Sequence, residues 1–355
     1  MNPRTRSAQA GDVSRFLTRV LATGATLLTC ACPAAGVADL IVQAPNQLEW
    51  SRSPSAVELR QLAPKLYATQ FKVAVSPHPA ELAVAVLEPG NYHLQYDLKE
   101  GGNGDFRLSA TPLDATPPVP VPKGTIVLLH GILDGQEDML HWGVYLAERG
   151  YRTVSVDLRG HGASTGAEIT YGAWERSDLV QVLDELAKRQ LVSGKVGVLG
   201  ISYGGAIAIQ WAAQDPRIES VVALAPFADP KPAIAGVVRR FLPPPMQNLP
   251  PAFLQSAIEA AAAARGFDWA EANPLAAAAK LRHPLLLIHG INDDVIPFSN
   301  SERLQAVAPP GSQLLRGNGN HVTLAARLDP IAERVAVWFE RAFGPVAAPK
   351  APAVP

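Results

Sequence analysis

The order of polar and apolar positions changes character along the chain. From Gln70 to Ala110 the two alternate with period two. In Asn91-Tyr92-His93-Leu94-Gln95-Tyr96-Asp97-Leu98 the apolar residues alternate strictly, which predicts a half-buried strand. Gly101-Gly102-Asn103-Gly104 then turns the chain, and Phe106, Leu108 and Ala110 resume the alternation, so a hairpin is expected. His93 falls on the polar face of that strand and reads as solvated. After the Pro-rich Thr111–Lys123, expected to be extended and semi-rigid, short continuous apolar runs take over. Thr125–Leu129, Thr153–Val156, Val196–Leu199, Val221–Leu224, Pro284–Ile288 and Gln313–Leu315 read as buried strands. Helical patterns separate several of them: about Glu137 to Arg149, a face made of Leu179, Val182, Leu183 and Leu186, and Tyr203 to about Gln214. Asp329-Pro330 reads as the N-cap and first-turn proline of a last helix, with Ile331, Val335 and Trp338 facing inward.

Strands alternating with helices predict an α/β fold with a mainly parallel central sheet and helices on both faces. The rhythm stops between Pro230 and Leu281, where there is no strand-like run. Pro243-Pro244-Pro245, Pro250-Pro251 and the Ala-rich Phe253–Arg265, closed by Gly266, predict instead a helical insertion over the sheet edge, a cap. The expected organisation is an N-terminal segment with a β-hairpin over 39–111, a linker over 112–123, and an α/β domain over 124–344. The cap lies within that domain at about 230–281, and the low-complexity tail over 345–355 is expected to be disordered.

The first residues read differently. Arg4, Arg6, Arg15 and Arg19 precede the apolar run Val20–Cys32, and small residues ending Gly36-Val37-Ala38 follow. A positive region, a short apolar stretch and a small-x-small site form a secretory signal pattern, with removal expected after Ala38. Thirteen residues span about 20 Å as a helix, short of the ~30 Å hydrocarbon core of a bilayer. The rival reading is a lipoprotein signal, with Cys30 or Cys32 becoming the lipidated first residue; only then is a membrane partner expected. Cys30 and Cys32 are the only cysteines, so a chain cut after Ala38 has neither disulfides nor thiol chemistry.

Composition narrows the function classes. Hydrophobic residues at 48% and charged residues at 18% suit a packed core. A net charge of −1 without a basic block, and aromatics at only 6%, give no footprint for a nucleic-acid partner. No metal-ligand spacing is present beyond the signal region, and no cofactor is expected.

The chemistry concentrates around Gly200-Ile201-Ser202-Tyr203-Gly204, which directly follows a strand and directly precedes a helix. A serine on so sharp a turn has strained backbone angles, and side chains two residues either side would collide, hence Gly200 and Gly204. In that context the chain resembles the α/β-hydrolase superfamily. Its R-G-H-G-x-S turn (Arg159-Gly160-His161-Gly162-Ala163-Ser164), its elbow and its acid turn are closest to those of serine aminopeptidase-like and monoacylglycerol-lipase-like hydrolases.

The resemblance implies a nucleophile, acid and base in that chain order. Ser202 takes the first place. His289-Gly290-Ile291-Asn292-Asp293-Asp294-Val295-Ile296-Pro297 looks like the superfamily's acid turn and selects Asp293, with Asp294 and, more weakly, Asp229 as rivals. Gly319-Asn320-His321 occupies the loop where the superfamily keeps its base, which selects His321. The oxyanion hole implied is the backbone N–H of Ile132, after His130-Gly131, and of Tyr203. His130, His161 and His289 read as loop or strand-end residues. A serine hydrolase acting on a small-molecule acyl substrate follows, a carboxylic ester first and a peptide second, because the cap is mostly apolar and offers only Glu259, Asp268 and Glu271 as anchors for an ammonium. A binding protein on a dead hydrolase fold would lack one of the three residues, and a dehalogenase would need an aspartate at position 202; neither is favoured.

Overall fold

The computed structural model describes residues 33–47, 56–92, 94–100, 106–112, 121–241, 247–326, 328 and 330–344. The expected signal region before Pro33, the turn at 101–104, most of the Pro-rich linker, Pro243–Pro245, His93, Asp329 and the tail lie outside them. Strands are β1 (Thr69–Val75), β2 (Ala80–Leu87), β3 (Leu94–Glu100), β4 (Phe106–Pro112), β5 (Thr125–Leu129), β6 (Arg152–Val156), β7 (Val196–Ile201), β8 (Ile218–Leu224), β9 (Leu285–Gly290) and β10 (Gln313–Gly317). Helices are α1 (Pro33–Val42), α2 (Ala56–Leu66), α3 (Leu140–Ala147), α4 (Glu175–Lys188), α5 (Tyr203–Gln214), α6 (Pro230–Phe241), α7 (Pro251–Arg265), α8 (Pro274–Ala278), α9 (Ser299–Val307), α10 (His321–Ala326) and α11 (Ala332–Phe343).

The main sheet has eight strands in the order β1-β2-β6-β5-β7-β8-β9-β10. Every neighbouring pair from β6 to β10 is parallel, while β1 and β2 join at the other edge in antiparallel pairing. Successive side chains on a strand point to opposite faces, and a sheet covered on both sides must be apolar at every position. Strand β5 shows this directly: Val127 and Leu129 enter one core with α4, α5 and the cap, whereas Ile126 and Leu128 enter the other with Trp142, Phe339 and Phe343. The expected mainly parallel sheet with helices on both faces is present.

Several boundaries differ from the sequence reading. Residues 69–87 are not part of a separate N-terminal segment, because β2 pairs with β6 from Val84↔Val156 to Leu87↔Thr153 and so extends the main sheet. The expected hairpin is β3–β4, a two-stranded sheet of its own. The last helix begins at Ala332, beyond Pro330, and buries Val335, Phe339 and Phe343, leaving Trp338 only partly covered.

The boundary expected after Ala38 falls inside α1. That helix packs on α7 of the cap and buries Val37, Ala38, Ile41 and Val42. Beyond it the chain stays tied down: Ile169 N–H donates to Val42 O at 2.8 Å, Ala44 N–H to Ala167 O at 3.0 Å and Tyr171 Oη to Ile41 O at 2.9 Å. Arg265 reaches back from the end of α7 to Asp39 at 2.8 Å and Glu168 at 3.4 Å. The cap consists of α6, α7 and α8, and α7 stops where Gly266 takes the left-handed φ of 70°, as a C-terminal glycine permits.

Candidate active site

Ser202 stands between β7 and α5 at φ 52°, ψ −111°, a conformation rarely adopted by a residue with a side chain. Its N–H donates to Leu224 O at 2.7 Å, and its carbonyl accepts from Ala206 N–H at 3.0 Å, so the turn is clamped between neighbouring strand and following helix. The flanking glycines are required by space. A Cβ on Gly200 would lie 2.2 Å from Gly204 O, and one on Gly204 would lie 2.4 Å from Leu129 O.

The second and third residues arrive from loops after β9 and β10 that are zipped together by backbone. Ile291 N–H donates to Gly317 O at 3.0 Å and Asn292 N–H to Gly319 O at 3.3 Å. Asn320 Oδ1 accepts from Val322 and Thr323 N–H, which starts the short helix carrying His321. His321 Nε2 lies 2.8 Å from Ser202 Oγ, and its Nδ1 lies 2.6 Å from Asp293 Oδ2. A carboxylate only accepts, so Nδ1 carries the proton and Nε2 is left to accept from the serine hydroxyl. Asp293 Oδ1 is fixed by Val295 N–H at 3.0 Å and Ile296 N–H at 2.7 Å. Burial pushes the Asp293 carboxyl up, and hydrogen bonds from His289 and His321 more than offset this, holding it down at about 2. All three residues are at least 90% buried.

The rival acids stand elsewhere. Asp294 points outward to Arg240 of α6 at 3.3 Å, and Asp229 accepts from Lys231 N–H at 3.0 Å at the start of α6. A hydroxyl, an imidazole and a carboxylate in series can draw a proton off the hydroxyl and return it to a leaving group.

The loop after β5 passes beside the serine: a Cβ on Gly131 would lie 3.9 Å from Ser202 Cβ. Among the described residues, the Ile132 amide has no protein acceptor. Tyr203 opens α5, and a first-turn N–H has no acceptor within its helix. Buried polar side chains hold this loop. His130 Nδ1–H donates to Gly131 O at 2.7 Å while Nε2 accepts from Leu158 N–H at 3.0 Å. Burial pushes His130 down to about 3 and His161 to about 4, so both rings are neutral near pH 7. Asp157 accepts from Gln136 N–H at 2.6 Å and Ala163 N–H at 2.9 Å, joining the loop to the Arg159–Ser164 turn; burial and Glu137 push its carboxyl up to about 7.

Two members of this scaffold escaped the sequence reading. Glu175, fully buried, accepts from Thr170 N–H, Thr170 Oγ1, Gly172 N–H and the Tyr203 hydroxyl. His289 touches Asp293 directly, at 3.2 Å. The only sequence signal for either was its place beside a motif, four residues before Asp293 and at the start of a helical pattern. Among the described residues no group of His, Cys, Asp or Glu is placed to hold a metal ion.

Comparison with known proteins bears on the fold. A family described as serine aminopeptidase, S33 matches residues 120–275, a stretch that holds Ile132, Ser202 and Tyr203 but neither Asp293 nor His321. The Bacillus subtilis (strain 168) protein YqkD, itself uncharacterized, is 29% identical over 201 residues. That match covers 56% of this chain and 64% of the length of YqkD. Among solved structures, the Pyrococcus furiosus esterase Pf2001 aligns with a TM-score of 0.55 at 22% identity, over 78% of this chain and 93% of that one. A 2,6-dihydroxy-pseudo-oxynicotine hydrolase aligns with a TM-score of 0.56 at 20% identity, over 84% of this chain and 75% of that one. At these identities the structural likeness is one of fold. Taken with the parallel sheet that carries the serine turn, it gives this chain the α/β-hydrolase fold, and the stretch matched by the serine aminopeptidase, S33 family is similar to that family.

Proposed function

We propose that the chain is a serine hydrolase that cleaves carboxylic esters through an acyl-enzyme on Ser202. The observation that carries this reading is the continuous relay from Asp293 Oδ2 through His321 to Ser202 Oγ, at 2.6 and 2.8 Å. His321 Nε2 takes the hydroxyl proton as Oγ attacks the ester carbonyl. The amides of Ile132 and Tyr203 receive the oxyanion, and loss of one such donor typically costs about 10²–10³ in rate. The imidazolium then protonates the departing alcohol. Water, deprotonated by the same nitrogen, attacks the acyl-enzyme and frees the acid and the serine.

An ester rather than a peptide is favoured by the acids of the cap. Glu259 is paired with Lys231 at 2.6 Å on the surface, Asp268 accepts from Ala270 N–H, and Glu271 is exposed. None is a buried anchor for a substrate ammonium. The aminopeptidase reading stays as the second because the matching family carries that description. Nitrophenyl esters of rising chain length, run beside aminoacyl nitroanilides on native protein and Ser202→Ala, separate the two. Ester turnover that disappears with Ser202 is expected; Ser202-dependent anilide release with poor turnover of every ester would favour the peptidase.

We also propose that the chain is exported and that its leader is removed upstream of Pro33. The charged and apolar pattern before residue 33 supports export, and the burial of Val37 and Ala38 in α1 argues against a cut after Ala38. The intact mass of exported protein should place the first residue before Pro33, with a lipid's added mass if it is Cys30 or Cys32. A mature chain starting at Asp39 would contradict this.

A further inference from the structure

We propose that His289 is a positioning residue for the acid of the relay, locking the Asp293 carboxylate in the one rotation that serves His321. This rests on the serine-hydrolase reading above. His289 is the penultimate residue of β9 and is fully buried. Its Nε2 lies 2.8 Å from Ile296 O and 3.2 Å from Asp293 Oδ2, and its Nδ1 lies 2.7 Å from Ser301 Oγ in the first turn of α9. A carbonyl oxygen only accepts, so Nε2 must carry the hydrogen, and Nδ1 then accepts from the buried Ser301 hydroxyl. Phe298, edge-on to the ring at 5.7 Å, fills the space beside it. The ring is thereby fixed in tautomer and orientation.

What that N–H does follows from where it points. It is shared between the Ile296 carbonyl and Asp293 Oδ2, the same oxygen that meets His321 Nδ1. The amides of Val295 and Ile296 already hold Oδ1. With both oxygens held from the β9 side, the carboxylate cannot rotate, and Oδ2 stays aimed at His321. His289 also closes the turn that carries the acid, since the one donor bridges residues 293 and 296. The neighbouring charges, Asp294 and Arg240, pair with each other on the exposed side of the turn and do not enter this contact.

The test compares His289→Leu, which removes the donor, with His289→Gln, whose amide places a donor near the position of Nε2. Both are measured for kcat, KM and the pH dependence of ester hydrolysis, beside Ser202→Ala and with folding checked by circular dichroism. Misplacement of a catalytic group by about 1 Å can cost about 10²-fold, so His289→Leu should lose kcat on that scale with KM little changed. Its acid limb should shift away from the native one, because the carboxylate no longer meets the ring of the base in the same geometry. His289→Gln should recover most of the lost rate and restore the limb. Should His289→Leu fail to fold, His289→Gln still decides, by keeping the native limb or not. A His289→Leu profile that superposes on the native one, or a His289→Gln variant as impaired as His289→Leu, overturns the proposal while leaving the serine reading intact. Ester turnover that survives Ser202→Ala would instead remove the reading on which it rests.

Discussion

Asp293 carries two consequences that can be measured apart. One is the orientation of His321; loss of the acid in well-studied triads costs on the order of 10⁴ in rate. Asp293→Asn should therefore be crippled in ester hydrolysis, while Asp294→Asn, which alters only a surface pair with Arg240, should keep most activity. The other consequence is stability. The carboxyl is held at about 2, below its ordinary 3.8. A depressed acid contributes stability that is present above the unfolded value and lost as pH falls through the folded one. Here the window runs from about pH 4 down to about pH 2, and the contribution is on the order of 2 kcal/mol. Melting temperatures recorded from pH 5 to pH 2 should fall more steeply for the native chain than for Asp293→Asn across that window. Parallel curves would show that the buried carboxylate carries no such linkage. At this scale the sequence was most legible where geometry leaves no choice. Gly200 and Gly204 announce Ser202 because any side chain there meets backbone at 2.2–2.4 Å. His289 and Glu175 were illegible because their importance lies in contacts across loops, and a histidine ending a strand or a glutamate opening a helix has many ordinary explanations.

The elements that place the site differ in how openly they declare themselves. Strands β5 and β7 are continuous apolar runs with one assignment, and the helix after Ser202 has the same bounds in sequence and structure. Helix α1 was hidden, since its small and apolar residues also satisfy a signal-cleavage pattern, and only its docking on α7 separates the two readings. Its buried Ile41 and Val42, with the Asp39–Arg265 pair, make it part of the cap's footing. A chain that starts at Pro33 should therefore melt higher than one that starts at Asp39. Burying a Val-sized side chain contributes roughly 1.5–3 kcal/mol, and residue 37 is one of those removed. Equal melting temperatures would mean that the first turns of α1 add nothing to the fold.

At the scale of the whole molecule, the sheet brings the ends of three parallel strands to one place. Ser202 leaves β7, Asp293 follows β9 and His321 follows β10, all at the carboxyl ends where an open α/β sheet gathers its ligands. The parallel part of this arrangement was legible from the strand–helix rhythm. The antiparallel edge was not, because the pairing of Val84 with Val156 joins residues far apart in sequence, and nothing local records it. The central claim is that Ser202 is the nucleophile of this assembly. It is tested most directly by treating native protein with a fluorophosphonate, measuring intact mass, and locating the adduct by peptide sequencing. One adduct on the peptide carrying Ser202, absent from Ser202→Ala and strongly slowed in His321→Ala, is the expected result. Labelling of Ser202→Ala equal to that of the native chain, or an adduct on another residue, would contradict it.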